Sequence, residues 1–365
     1  MKKVILMSME TPLLEWSPAK YQLLEELSIR GFETYLFIAG KLKNRGSYSW
    51  INHVLNVKYM SKKDIQKRII DIAPHAVIAT IYVDTSVIYK LPYILKNTSF
   101  YYYNLEINTP YLNKDERKEN FRIYMQFKLK YPIHKIKEIL YTRKVKAFSI
   151  QDKLRMKVSE KYHINYSHPI FIPNSYIFDE AKVVPVGQTG VVYTGGIKRD
   201  FLQGQFKNLK EVKKTPLTLS GRIDVWCKRE MKKLRYTNTN IKLVEQVLSV
   251  DQYTNYLQQF AVGLVWYSPM REDEGRYYIG LSSGKMFKHL SLGQPIIAIK
   301  CCGITEVVNK YKLGVIINDI SELDDAYDEI MKKYSYYREN VIKIYKEKFD
   351  FKKLIIPFLD AIEME

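Results

Sequence analysis

The chain has 365 residues, 46% hydrophobic and 13% aromatic, which supplies a large core and excludes a disordered protein. Its 58 Lys and Arg against 39 Asp and Glu give a formal charge of +19, so nucleic acid, anionic lipid and phosphorylated substrates are the partners to weigh. Three cysteines, Cys227, Cys301 and Cys302, exclude a disulfide framework and point to a reducing, cytoplasmic setting.

At roughly 100 to 200 residues per domain, the length favours two domains. The opening MKKVILMSME is too short and lacks the cleavage site of a secretion signal, so Val4 to Met7 is expected as a buried first strand. Ser17-Pro18 opens a helix with Leu23, Leu24, Leu27 and Ile29 on one face, and Thr34 to Ile38 is strand-like again. Lys62 to Ile72 reads as a helix ended by Pro74, Ala76 to Ile81 as a strand, Val87 to Leu95 as a helix and Phe100 to Tyr103 as an aromatic strand. Apolar strands separated by helices predict a parallel sheet covered on both faces.

Residues 111–146 interrupt this rhythm with eleven Lys or Arg against four Asp or Glu, interleaved with Phe121, Met125, Phe127, Leu129, Ile133, Ile136 and Leu140. A basic amphipathic segment of this kind suits an anionic membrane surface, and equally a solvated helix pair packed on its own domain. Nowhere do about 18 apolar residues run together, so no bilayer span is expected. The alternation resumes with strand Ala147 to Ile150, helix Lys153 to Tyr162 and strand Ile170 to Ile172.

Residues 173–188 carry two prolines and little periodicity, which places a linker there. A second set of strands follows at Gly190 to Thr194, Leu217 to Leu219, Ile241 to Val244, Val262 to Trp266, Pro295 to Ile299 and Val315 to Ile317. The reading is α/β with two Rossmann-like domains facing each other across a cleft. Residues 1–175 form an N-terminal domain with the basic insert 111–146, 187–335 a C-terminal domain, and 336–365 helices crossing back to the first domain.

Two motifs carry chemistry in the second half. In VVYTGGIKRDF, Gly195 and Gly196 let backbone N–H groups approach a phosphate and Lys198 and Arg199 would neutralise it, although a plain glycine turn with exposed bases fits as well. In GLSSGKMFKHLSLGQP, Ser282, Ser283 and Gly284 open a helix with Lys285 in its first turn. An ordinary N-cap does not account for a cation there, because the helix dipole disfavours it unless an anion comes to meet it.

Together with Pro173 to Ser175, the Tyr-Thr-Gly-Gly turn at 193–196 and Phe148 to Arg155, the stretch Ser-Gly-Lys-Met-Phe-Lys-His-Leu-Ser-Leu-Gly-Gln-Pro at 283–295 resembles the GT-B glycosyltransferases of family-four type. The likeness spans nearly the whole chain and is most specific in the second half. It implies transfer of a sugar from a nucleotide-diphosphate donor, a UDP-sugar first, to a glycan or lipid-linked acceptor in surface polysaccharide or glycoconjugate synthesis. It implies no cofactor, no metal and retention of configuration, and the absence of an Asp-x-Asp pair agrees with metal independence. On this likeness Gly195, Gly196, Lys198, Arg199, Gly221, Arg222, Ser282, Ser283, Gly284, Lys285 and Lys288 form the donor and phosphate site, with Lys285 and Glu106 as the catalytic residues.

One position departs from the pattern: Lys288 stands where the family usually carries a ribose-binding glutamate, and Gly280 stands at the matching upstream acidic position. An ammonium donates but cannot accept. The acidic run Glu272, Asp273 and Glu274 is an alternative source of a carboxylate, or a charged exposed loop. In the first half, Glu106 follows an aromatic strand, where a carboxylate serves as a base or orients an acceptor hydroxyl, or is simply a surface residue. Thr11 and Ser17 lie in the first strand-to-helix loop on the acceptor side. His134 and His289 show no metal spacing. A sugar-nucleotide epimerase of the same fold and a basic polyanion-binding protein are the alternatives, the latter without a nucleic-acid motif to support it.

Overall fold

The computed structural model describes residues 1–9, 18–40, 42, 48–106, 121–161, 164, 166, 168–197, 206–235, 239–246, 248–267 and 279–364. The chain divides into two compact units, the first built mainly of residues 1–174 and 351–365 and the second of 175–350.

Unit 1 holds a seven-stranded, all-parallel sheet. Its strands are β1 (Lys3–Ser8), β2 (Glu33–Ile38), β3 (His53–Asn56), β4 (Ala76–Ala79), β5 (Ser99–Tyr103), β6 (Ala147–Ile150) and β7 (Ile170–Phe171), in the order β3-β2-β1-β4-β5-β6-β7. The inner strands are apolar runs because helices cover both faces; Val4 to Met7 and Ala76 to Ala79 are fully buried. Edge strand β3, with only two apolar residues in HVLN and an exposed pattern, gives no such signal and escapes the sequence reading.

Chain order reverses between β1 and β4, and a buried carboxylate closes that point. Asp84 accepts from the backbone N–H groups of Met9 (2.9 Å), Thr80 (2.9 Å) and Ile81 (3.2 Å), tying the end of β1 to the start of helix Tyr82–Ile88. That helix begins five residues earlier than the expected Val87, because Asp84 supplies its cap, and the preceding strand stops at Ala79 instead of Ile81. In the helix Pro18–Ile29, Leu23, Leu24 and Leu27 are buried as expected, whereas Ile29 is exposed at the helix end.

Unit 2 repeats the architecture with six parallel strands: β8 (Val191–Ile197), β9 (Leu217–Ile223), β10 (Ile241–Glu245), β11 (Val262–Val265), β12 (Ile296–Ile299) and β13 (Gly314–Ile317), ordered β10-β9-β8-β11-β12-β13. Alternation along β12 shows the two covered faces: Ile297 and Ile299 pack with Leu219, Leu264 and Trp266, while Ile296 and Ala298 pack with Met286, Phe287 and Leu290.

The C-terminal helices expected over 336–365 begin at Tyr334. Helix Tyr334–Ile344 runs into a π turn over Tyr345–Phe349, extended Asp350 follows, and short helices Phe351–Leu354 and Ile356–Glu363 complete the chain. Pro357 falls in the first turn of the last helix, the place where its missing N–H costs least. The terminal segment returns to unit 1: Tyr101 Oη donates to Ala361 O at 2.8 Å, and Arg30 pairs with Asp360 at 2.8 Å and Glu363 at 3.0 Å.

Candidate active site

In unit 2 the order reverses between β8 and β11, the point where open α/β sheets offer a crevice at the strand carboxyl ends. These two strands pair only through Val262–Val191 and Gly263–Val192, so the second half of β8 runs on without β11 beside it. Gly195 and Gly196 lie there, inside β8 and paired with Gly221 and Arg222 of β9. The two-glycine turn expected from the sequence is therefore strand. The glycines are needed for another reason: Gly195 has φ +133° and Gly221 φ +144°, and a Cβ on Gly221 would lie 1.9 Å from the Gly195 carbonyl oxygen.

Helix Gly284–Ser291 follows β11 and aims its N-terminus at the same strand ends. Ser283 caps it, its Oγ accepting from Met286 N–H at 3.3 Å and lying 2.8 Å from Tyr267 Oη. Gly284 and Lys285 stand in the first turn of this helix, at the positive end of its dipole. Ser282 Oγ donates to the Ile279 carbonyl.

The Lys285 side chain lies across Gly195: a Cβ there would meet Cε at 2.6 Å and Nζ at 3.0 Å. Its ammonium donates to Tyr193 Oη at 2.9 Å and sits 4.5 Å from the Tyr193 ring centre and 5.1 Å from that of Tyr267. Tyr193 Oη donates in turn to the Gly196 carbonyl at 3.3 Å. Burial raises the Tyr193 pKa well beyond its ordinary value and raises that of Tyr267 against the opposing pull of Lys285, so both phenols stay protonated. The result is a half-buried cation fixed over the Gly195 backbone beside a helix N-terminus, a charge and geometry that would suit an anion.

The expected donor residues thus divide. Gly195, Gly196, Gly221, Ser283, Gly284 and Lys285 meet in one place, with Ser282 next to them and Arg222 exposed on β9 beside Gly196. Lys288 is buried: its ammonium donates to Thr254 Oγ1 at 2.7 Å and lies 5.0 Å from the Tyr176 ring centre. Lys198, Arg199 and the acidic run Glu272 to Glu274 lie outside the described residues, as do Thr11 and Ser17. In unit 1, Glu106 is exposed just past β5, its N–H donating to Asn104 Oδ1 at 3.1 Å. Near it, buried Arg155 donates to Leu105 O at 3.3 Å, and desolvation lowers its pKa to about 10 against the pull of Asp152 and Glu106.

Tyr193 and Tyr267 are the members that sequence reasoning misses. Tyr193 reads as one more core residue of an apolar strand, and Tyr267 falls just beyond β11. Their signal is positional only, one phenol within β8 and one just past β11, the two strands flanking the order reversal.

Residues 191–348 match the family described as glucosyltransferase 3-like, C-terminal domain. No curated protein sequence matches the chain. Among solved structures, HepE of Anabaena, in complex with UDP and glucose, is similar with a TM-score of 0.68 at 11% identity over 100% of both chains. Sucrose-phosphate synthase of Thermosynechococcus elongatus is similar at 0.65 and 12% identity over 100% of this chain and 99% of that one. A putative UDP-N-acetylglucosamine 2-epimerase from Listeria monocytogenes is similar at 0.62 and 10% identity over 100% and 96%. The fold is that of the GT-B glycosyltransferases, two Rossmann-like domains with a terminal segment returning to the first. The second unit matches the glucosyltransferase 3-like family over most of its length.

Proposed function

We propose that the protein transfers a sugar from a nucleotide-diphosphate donor, a UDP-sugar first, to a glycan or lipid-linked acceptor in surface polysaccharide or glycoconjugate synthesis. The observation that carries this reading is Lys285 held by Tyr193 across Gly195, at the strand ends of a domain that matches a glucosyltransferase family. HepE, of the same fold, is described with UDP and glucose bound.

The roles follow from charge. As the glycosidic bond to the donor phosphate breaks, negative charge collects on the departing diphosphate. Lys285, Gly284 N–H and the backbone around Gly195 and Gly196 stabilise it, with Lys198, Arg199, Arg222, Gly221, Ser282 and Ser283 completing the donor side. These groups suffice without a metal or another cofactor, and loss of the leaving group on the acceptor's face gives retention. Glu106 serves the acceptor as base or orienting group, with Thr11 and Ser17 on the same side. Lys288, fastened to Thr254, sets the helix instead of accepting from the ribose, so ribose recognition falls to other groups. The proposed setting is cytoplasmic, with the acceptor reached at a membrane surface. Among the described residues no helix is long and apolar enough to cross a membrane.

Incubation with UDP-sugars in EDTA and product analysis by mass spectrometry tests this. A glycosylated acceptor or slow release of free sugar and UDP supports transfer. An epimerised nucleotide sugar would favour the reading suggested by the epimerase of similar fold.

A further inference from the structure

The longest helix of unit 1, Phe121–Thr142, leaves an apolar stripe uncovered. Met125, Leu129, Ile133 and Ile136 are spaced four, four and three residues apart, which aligns them on one helix face. They are 36%, 69%, 55% and 59% exposed. Packing does not require them, because other residues fasten the helix. Tyr102 Oη donates to buried Glu138 at 2.7 Å, Lys135 lies 3.6 Å from the same carboxylate, and Tyr141 Oη donates to Tyr101 O at 3.0 Å. At its far end the stripe meets half-exposed Tyr93, whose hydroxyl donates to Leu140 O at 2.9 Å.

Cations gather beside this stripe. The helix carries five Lys or Arg and one acid, Glu138, which is buried beneath it. Lys137 and Lys90 approach the same Tyr89 ring at 5.4 and 5.7 Å, and Lys144 approaches the Tyr93 ring at 5.3 Å. Lys62 lies close enough to Lys137 for repulsion to add to burial in lowering its pKa; His134 is lowered by burial and then by Lys137, Lys62 and Lys130. Among the described residues no carboxylate stands within ion-pair distance of Lys62, Lys90, Lys130 or Lys137.

An aliphatic row flanked by unneutralised ammonium groups suits an interface that is apolar at depth and anionic at its surface. Nucleic acid has no use for the aliphatic row. A second copy of this face would bring cations against cations on a chain of net charge +19. We propose that this helix rests on an anionic bilayer, Met125, Leu129, Ile133 and Ile136 entering the headgroup boundary while Lys62, Lys130 and Lys137 meet lipid phosphates. The inference deepens the membrane-surface setting proposed above and rests on unit 1, independent of donor chemistry.

The test is cosedimentation of the full chain with phosphatidylcholine vesicles, with and without about 30% phosphatidylglycerol. Wild type should bind the anionic vesicles alone and release in high salt. Lys130→Glu/Lys137→Glu and, separately, Leu129→Ser/Ile136→Ser should each weaken binding at least tenfold, on the scale of about 1 kcal/mol per basic residue near an anionic surface. All four positions are at the surface, so both variants should keep the wild-type melting temperature and UDP affinity, which separates failure here from failure of the transferase reading. Equal binding to neutral vesicles, no binding, or binding untouched by both variants would overturn the proposal. So would a dimer in light scattering that only the Leu129→Ser/Ile136→Ser variant dissolves.

Discussion

Lys285 and Gly195 touch without a side chain between them: the Lys285 methylene chain occupies the space where any other residue at 195 would carry its Cβ, 2.6 Å from Cε. The glycine sets the height of the ammonium above the strand. Gly195→Ala is therefore expected to push Lys285 aside and, with φ at +133°, to strain the backbone as well. UDP affinity in titration calorimetry should fall at least about tenfold, with a stability loss of about 1–3 kcal/mol in urea unfolding. Unchanged affinity would dissociate the glycine from the site.

Tyr193 and Lys285 separate anchoring from charge. Lys285→Ala removes the cation and should reduce turnover by about 100-fold or more, the scale seen when one fixed donor is lost from a developing anion. Tyr193→Phe keeps the cation and the ring but frees Nζ from its 2.9 Å bond. Its turnover should fall less, with the loss appearing mainly in donor KM, as steady-state kinetics will show.

His289 predicts acid sensitivity. Its ring fills the space above Gly263, where a Cβ would meet it at 2.2 Å, and Nδ1 lies 2.8 Å from Gln294 Oε1. Burial holds its pKa at about 4, against an ordinary 6.5. Between these values the unfolded chain binds the extra proton and the folded chain does not, so stability rises with pH in that window. The contribution is fully present above pH 6.5 and is lost as pH falls towards 4, on the order of 3 kcal/mol across the window. Urea unfolding at pH 4.5 and 7 should show a steeper pH slope for wild type than for His289→Gln.

Asp84 holds the order reversal of unit 1. Its carboxylate receives three backbone N–H groups and lies 2.9 Å from Thr80 Oγ1 with no exposure. Asp84→Asn turns an acceptor oxygen into an NH2 among donors and should cost about 3 kcal/mol, measured by chemical denaturation.

Much of this architecture is legible in the sequence because inner parallel strands are continuous apolar runs; Ala147–Ile150 falls where it was read, and helix Lys62–Ile72 does too. Legibility fails where burial is partial or tertiary context decides. HVLN at β3 is an edge strand with half its residues exposed. Gly195-Gly196 looks like a turn by composition, yet close approach of Lys285 and of β9 explains glycine in an extended strand. The run from Tyr334 has helical composition throughout, yet it breaks at Asp350, where the chain passes from one unit to the other, and again at Ile355. At the site, the place of Lys285 in a helix first turn was readable. Lys288 stands in the same helix but turns inward to Thr254, and Tyr193 turns to meet Lys285; neither orientation is written in residue type.

The central claim is that unit 2 binds a nucleoside diphosphate through Lys285. Titration calorimetry of wild type and Lys285→Ala with UDP, in EDTA, addresses it most directly. Saturable binding by wild type, weakened about 100-fold or more in a variant with an unchanged melting temperature, is the predicted result, corresponding to loss of a charge-assisted contact of about 2–3 kcal/mol. Equal affinity in the two proteins, or no affinity of wild type for UDP or any other nucleoside diphosphate, would contradict it.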